Sequence, residues 1–157
     1  MLNIRIVCVG RLKESWYKAA CAEYLKRMGG MYSAEVIEIP EKSLPKNPSQ
    51  TQISEALRDE GARITERISG FAAALCVEAA PLSSEDLAEK LEEWSMSDGA
   101  ASFVIGGSFG LDERLKSACG FRFSMSRMTF PHHLARVMLI EQIYRAGCIN
   151  SGRKYHK

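Results

Sequence analysis

Leu2 to Val9 alternates in polarity and is rich in β-branched residues, and Gly10 closes the run, so the chain is expected to open with a strand. The period then changes. Trp16, Ala20, Tyr24 and Met28 recur at helical spacing, which predicts a helix over about 13–28 that stops at Gly29-Gly30. A second strand is expected at Ala34–Ile39. Beyond it Pro40, Pro45 and Pro48 break the segment into a loop, whose last residues are placed to cap a helix running to about Ser69 on an Ile53, Leu57, Ile64 and Ile68 face.

Gly70 precedes FAAALCVEA, read as a third strand, and Ser83 with Asp86 makes a capping-box-like start for the acidic helix SSEDLAEKLEEW. Asp98-Gly99 turns the chain into ASFVI, a fourth strand ending at Gly106-Gly107. A short helix over 112–118, a fifth strand over 121–124 and a last helix from Pro131 to about Gly147 follow. Strands alternating with helices predict an α/β fold, a mainly parallel sheet with helices on both faces. No internal repeat or linker interrupts the 157 residues, so 1–157 is expected to form a single domain.

Composition adds mainly exclusions. With 46% apolar and 25% charged residues the chain is ordinary globular material, not disordered, collagenous or coiled-coil. The longest apolar run, Phe71–Val77, falls far short of the roughly 18 residues a membrane span requires. MLNIRIVCVG carries Arg5 inside its apolar stretch and has no small-residue cleavage site, so a buried strand and a cytoplasmic location are expected, with no membrane attachment. Five cysteines without a C-x-x-C pair point to reduced, mostly buried thiols and to no metal. The net charge of +2 hides an asymmetry: residues 121–157 hold seven Lys/Arg against Glu141 alone, and all three histidines, whereas the first 120 hold 14 against 18 acidic residues. A basic end suits an anionic partner such as RNA, although a solvated basic tail accounts for the same charges.

Two segments carry candidate chemistry. IGGSFG, residues 105–110, follows a strand, and its glycine pair lets the backbone turn tightly and present N–H and C=O groups to a ligand. It is neither the G-x-G-x-x-G of a first strand-helix unit nor a P-loop. SRMTFPHH, residues 126–133, sets a loop at another strand's carboxyl end, with Pro131 fixing the first helical turn and Thr129 placed to cap it. The two loops either share one cleft or are an ordinary turn and an ordinary helix start. Glu141 and Arg145 stand at i and i+4, the spacing of a surface ion pair, with Arg136 off that line. Adjacent His132 and His133 should point in different directions on a helix and so share no metal. The tail SGRKYHK sets a ring and an imidazole among cations, able to stack on a base and hold phosphates, or else simply frays.

Taken together, IGGSFGL, MTFPHHLARVMLIEQIYRA and the final YHK, with GRLKE at Gly10 and AEYLKR at 22–27, resemble the bacterial pseudouridine N3-methyltransferases of the ribosomal large subunit, a family within the SPOUT methyltransferases. The resemblance covers essentially the whole chain. It implies S-adenosyl-L-methionine as methyl donor, N3 of a pseudouridine in a stem-loop of 23S rRNA as target, a homodimer, and a C-terminal trefoil knot that ordinary topology rules would not suggest. By position it implies donor contacts at Leu75, Gly106, Met125, Ser126, Arg127, Met128, Thr129 and Phe130. It implies catalytic residues at His132, Arg145, Tyr155 and His156: Arg145 to hold a phosphate or the donor carboxylate, Tyr155 to position the flipped base, and His156 or His132 to help remove the N3 proton.

The chain departs from the family pattern in three places, of which the second position of His132-His133 matters least. Cys76, Ala79 and Ala80 stand where an acidic residue and then Gly-Lys are common, which removes any contact that lysine makes. Lys154 replaces the proline of a Pro-Tyr-His tail, freeing the backbone there while adding a charge. These departures keep open an alternative function on the same fold, a catalytically silent ribosome-binding or assembly protein. A small nucleotide-binding module is disfavoured by the missing phosphate-loop signatures.

Overall fold

A computed structural model of the chain describes residues 1–156; Lys157, the last of the basic residues counted above, lies outside them. The β-branched opening segment forms β1 (Asn3–Val9), followed by α1 (Ser15–Met28), β2 (Ser33–Ile39), α2 (Gln50–Thr65) and β3 (Phe71–Leu75). Then come α3 (Ser84–Ser97), β4 (Ala100–Ile105), α4 (Glu113–Ala118), β5 (Phe121–Phe123) and α5 (His132–Asn150). All pairings are parallel, in the order β2-β1-β4-β3-β5.

The period-two pattern of β1 divides the interior into two cores. Ile4, Ile6 and Cys8 face the layer built by α1, α3 and α5, where Trp94 stacks on Phe71 at 4.7 Å and touches Phe103 and Phe121. Val7 and Val9 face the other layer, with Ile64 of α2 and Leu115 of α4. Helices on both faces are therefore as expected. So are the five thiols, all free and buried. Among the described residues no helix is long and apolar enough to cross a membrane, and no cluster of three or more His, Cys, Asp or Glu could hold a metal ion.

Several boundaries and faces differ from expectation, each for a local reason. In α1 the helical period is right and Met28 is buried as expected, but Trp16 is 66% exposed, and Cys21 rather than Ala20 joins the core. α2 stops at Thr65 rather than Ser69, because the Ser102 hydroxyl bonds both the N–H and the C=O of Ser69 and draws the chain toward β3. β3 ends at Leu75, since a turn closed by Ala79 N–H on the Cys76 carbonyl follows at once. α5 continues past Gly147 to Asn150. That glycine serves packing, not termination: a Cβ there would come within 2.9 Å of the Tyr32 ring. The expected box at Ser83 is present, and a second one stands at the start of α2. Ser49 with Gln52 and Ser83 with Asp86 each exchange reciprocal backbone-to-side-chain bonds, capping α2 and α3.

Candidate active site

Parallel pairing puts the carboxyl ends of β4, β3 and β5 side by side, with Ala74 opposite Val104 and Leu75 opposite Phe123. Ligands bind at this edge in open α/β sheets. Beyond β4, Gly107 and Gly110 close a tight hairpin, and a Cβ on Gly106 would collide with the Gly110 backbone, so only glycine lets the hairpin fold so close. Beyond β5, Ser124 bridges to Pro81: its N–H donates to the Ala80 carbonyl and its own carbonyl accepts from Leu82, both at 3.0 Å. The loop is tightened by Ser126 Oγ, which accepts the Met128 N–H at 3.0 Å.

Leu75, Met125, Ser126, Met128 and Phe130 converge on an apolar cavity of about 40 Å³, closed on its other sides by Cys76 and Ala135. Gly106 is buried at the neighbouring strand end, outside that wall, while Arg127 and Thr129 lie exposed on the loop. Thr129 does not cap α5; the chain enters the helix through extended Pro131 with no side-chain cap. A larger groove of about 490 Å³ shares Met125 with the cavity and runs along α5, past Val137 and Met138, to Glu141.

At the start of α5, His132 and His133 line a different cavity, at the carboxyl ends of β1 and β2. Their rings lie 4.2 Å apart, edge to face, rather than diverging, because both sit in the first helical turn over Gly10. Burial, and then the neighbouring His133, hold the His132 imidazole below its ordinary value, against an opposing pull from Glu41. A neutral imidazole at neutral pH is able to accept a proton.

Past α5 the tail turns back on the helix. Arg145 donates through Nε and Nη2 to Glu141 Oε1, at 3.1 and 2.6 Å, and its guanidinium lies 4.7 Å from the Tyr155 ring centre. Tyr155 donates its hydroxyl to the same Glu141 oxygen at 3.1 Å. His156 lies between Arg145, at 3.5 Å, and Glu85, at 2.7 Å. Burial and then hydrogen bonding raise the Tyr155 phenol well above its ordinary range, so it stays protonated and can donate. The Glu141–Arg145 pair is thus no simple surface pair: the side chains are 17% and 25% exposed and organise the tail.

Arg145, Tyr155 and His156 are brought together; His132 is not. Thirteen residues of helix separate it from Arg145, roughly 20 Å at 1.5 Å per residue.

The family model described as predicted SPOUT methyltransferase matches residues 2–156. The chain belongs to the SPOUT methyltransferase family. Relatives named ribosomal RNA large subunit methyltransferase H match this SPOUT methyltransferase end to end: the Oenococcus oeni protein is 42% identical over 161 residues, covering 100% of both chains. The Heliobacterium modesticaldum protein is 39% identical over 161 residues with the same coverage. Among solved structures, a probable methylase family protein from Haemophilus influenzae superposes with a TM-score of 0.58 at 15% identity, over 99% of this chain and 71% of that one, a likeness of fold.

Three residues of this SPOUT methyltransferase give little sign of their part in its sequence. Glu141 was visible only as an i,i+4 partner, and Glu85 only as helix-start acidity. Arg136 is 1% exposed and bonded to Glu38 and Gly10. Its one signal was a lone charge inside the apolar run LARVMLI.

Proposed function

We propose that this protein transfers a methyl group from S-adenosyl-L-methionine to N3 of a pseudouridine in 23S rRNA of the large ribosomal subunit, working in the cytoplasm as a homodimer. The observation that carries the reading is the meeting of Leu75 with the 125–130 loop at the carboxyl ends of β3 and β5, next to the strand end that holds Gly106, in a chain that matches the methyltransferase H relatives over its full length. The donor fits the apolar, backbone-rich character of these loops. The cavity itself admits only part of such a molecule, and the adjoining groove at Met125 offers the remaining space. When bound, the donor supplies an electrophilic methyl group.

The protein's own residues then have simple tasks. Leu75, Met125 and Phe130 exclude water from the reacting carbon, exposed Met128 adds an apolar contact at the rim, and Ser126, Arg127, Thr129 and the Gly106 turn offer polar contacts. Alignment of the reacting atoms is the main catalytic demand. His132 accepts the N3 proton, Tyr155 donates a hydrogen bond to the base, and Arg145 and His156 hold an anionic group of the substrate. The distance of His132 from the other three within one chain supports a shared site, in which a second copy brings its tail to the first copy's cleft. The family's trefoil knot belongs to the same proposal, supported by the bonds that stitch Ser124 to the 80–82 loop before the chain enters α5.

The test is incubation of the protein and S-adenosyl-L-methionine with ribosomes that carry the pseudouridine but not its methyl group, followed by mass spectrometry of the rRNA loop. One methyl at N3, absent when the pseudouridine is replaced by uridine, is expected. Firm binding to ribosomal particles with no methyl transferred would instead establish the silent assembly protein.

A further inference from the structure

Arg136 is the largest fully buried side chain in the protein. A guanidinium in that position needs a reason, because an apolar residue of similar volume generally serves stability as well or better. Its Nη1 donates to Glu38 Oε2 at 3.1 Å and its Nη2 to the Gly10 carbonyl at 2.9 Å, while Nε has no partner among the described residues. Glu38 Oε2 also accepts the Leu12 N–H at 2.9 Å, and the Gly10 N–H donates to Ile39. Gly10 has φ +90°, a left-handed turn that side chains resist. One side chain of α5 therefore ties together the ends of β1 and β2 and the entry to α1.

What rests on this knot of bonds is the first turn of α5. A Cβ on Gly10 would lie 3.6 Å from His133 Nε2 and 3.8 Å from His132 Nε2, so the imidazoles sit directly on the turn that Arg136 holds. Glu41, in the same cavity, reaches across to the glycine hairpin, where Ser108 Oγ donates to it at 3.5 Å. We propose that Arg136 is a positioning residue for methyl transfer: its forked guanidinium clamps the Gly10–Leu12 turn to α5 and so fixes the His132 imidazole where it meets the substrate. The inference rests on the methyltransferase reading, in which His132 takes the proton.

The clamp also has an electrostatic side. His132 is faced by His133 and Arg136 from α5, by Glu38 and Glu41 from β2 and the loop after it, and by Arg11, Lys13 and Glu14 from the loop before α1. Burial and His133 oppose its protonation, Arg136 adds to them, and Glu41 works the other way.

Three full-length variants test the proposal: Arg136→Met, Arg136→Lys and Glu41→Gln, each read by ring-NMR titration of His132 and by the pH dependence of kcat on ribosomes. Arg136→Met should raise the His132 midpoint and move the acid limb of kcat to higher pH, and Glu41→Gln should move both the opposite way. Arg136→Lys keeps the charge but cannot reach both acceptors, so it should leave the midpoint near that of the parent while lowering kcat by roughly tenfold or more at unchanged donor KM. Parent-like kcat in Arg136→Lys, or an unmoved His132 in folded Arg136→Met, would overturn the proposal. If Arg136→Met does not fold, the lysine variant decides alone. The titration needs no turnover, so inactivity of the parent protein would be recognised separately, as failure of the methyltransferase reading itself.

Discussion

Glu141 Oε1 accepts bonds from Arg145 and from Tyr155, so one carboxylate oxygen holds both side chains of the proposed substrate cluster. Tyr155→Phe removes the hydroxyl that links the tail to that carboxylate. Turnover should fall at least roughly tenfold while donor affinity stays within about twofold, measured by single-turnover assay and calorimetry. His132 gives a stability prediction with a definite sign. Burial and His133 keep its folded-state value below the ordinary imidazole range, so the unfolded chain binds the proton more readily. This site's contribution to stability is complete above about pH 6.5 and declines as the pH falls through that range. In denaturant titrations His132→Asn should flatten the acid-side loss. All five thiols are buried, and burial pushes that of Cys8 up to about 12; because a buried sulfur is out of a reagent's reach, a thiol reagent at pH 8 should find no fast-reacting sulfur in the native protein and five after unfolding.

The elements were largely legible because their periods and punctuation are local. Ser83 before SEDL and Asp86 three residues later announced the start of α3, and the reciprocal bonds are there. Ser83→Ala should therefore cost about 1 kcal/mol in urea unfolding, against less than about 0.5 for exposed Ser95→Ala on the same helix. Less legible was where each helix points its face. Trp16 looked like a core residue by spacing, yet the partners that choose the buried line of α1 come from α5, more than a hundred residues away. The reach of α5 past Gly147 was hidden for a similar reason: the residue that needs the glycine is Tyr32, on the connection before β2.

For the whole molecule, the arrangement of strand ends matters more than any single motif. The order β2-β1-β4-β3-β5 brings the Gly106 hairpin beside Leu75 and the 125–130 loop, and it carries His132 away to β1 and β2. If the tail works on a second copy, two crippled chains should complement each other. Mixing Gly106→Val, whose side chain would strike Gly110, with a chain truncated before Tyr155 should restore activity to roughly one quarter of the parent, since half the dimers would be mixed and each would hold one intact site. Failure of the mixture to exceed its components would exclude a shared site. The basic end is also less cationic at its surface than its composition suggests, because Arg136 is buried against Glu38 and Arg145 is neutralised by Glu141.

The amino-acid sequence alone determined the strand and helix succession, the parallel α/β class, the Ser83–Asp86 cap of α3, the reduced thiols and, through its ordered motifs, the family. Each of these depends on neighbours a few residues apart or on residue types in a fixed order. Only the tertiary structure decided that Arg136 is a buried clamp, that Glu141 organises the tail, and that His132 stands apart from Arg145, Tyr155 and His156 along one helix. Those facts depend on which distant segments meet, as Arg136 meets Gly10 across 126 residues of chain, and local spacing carries no record of such a meeting.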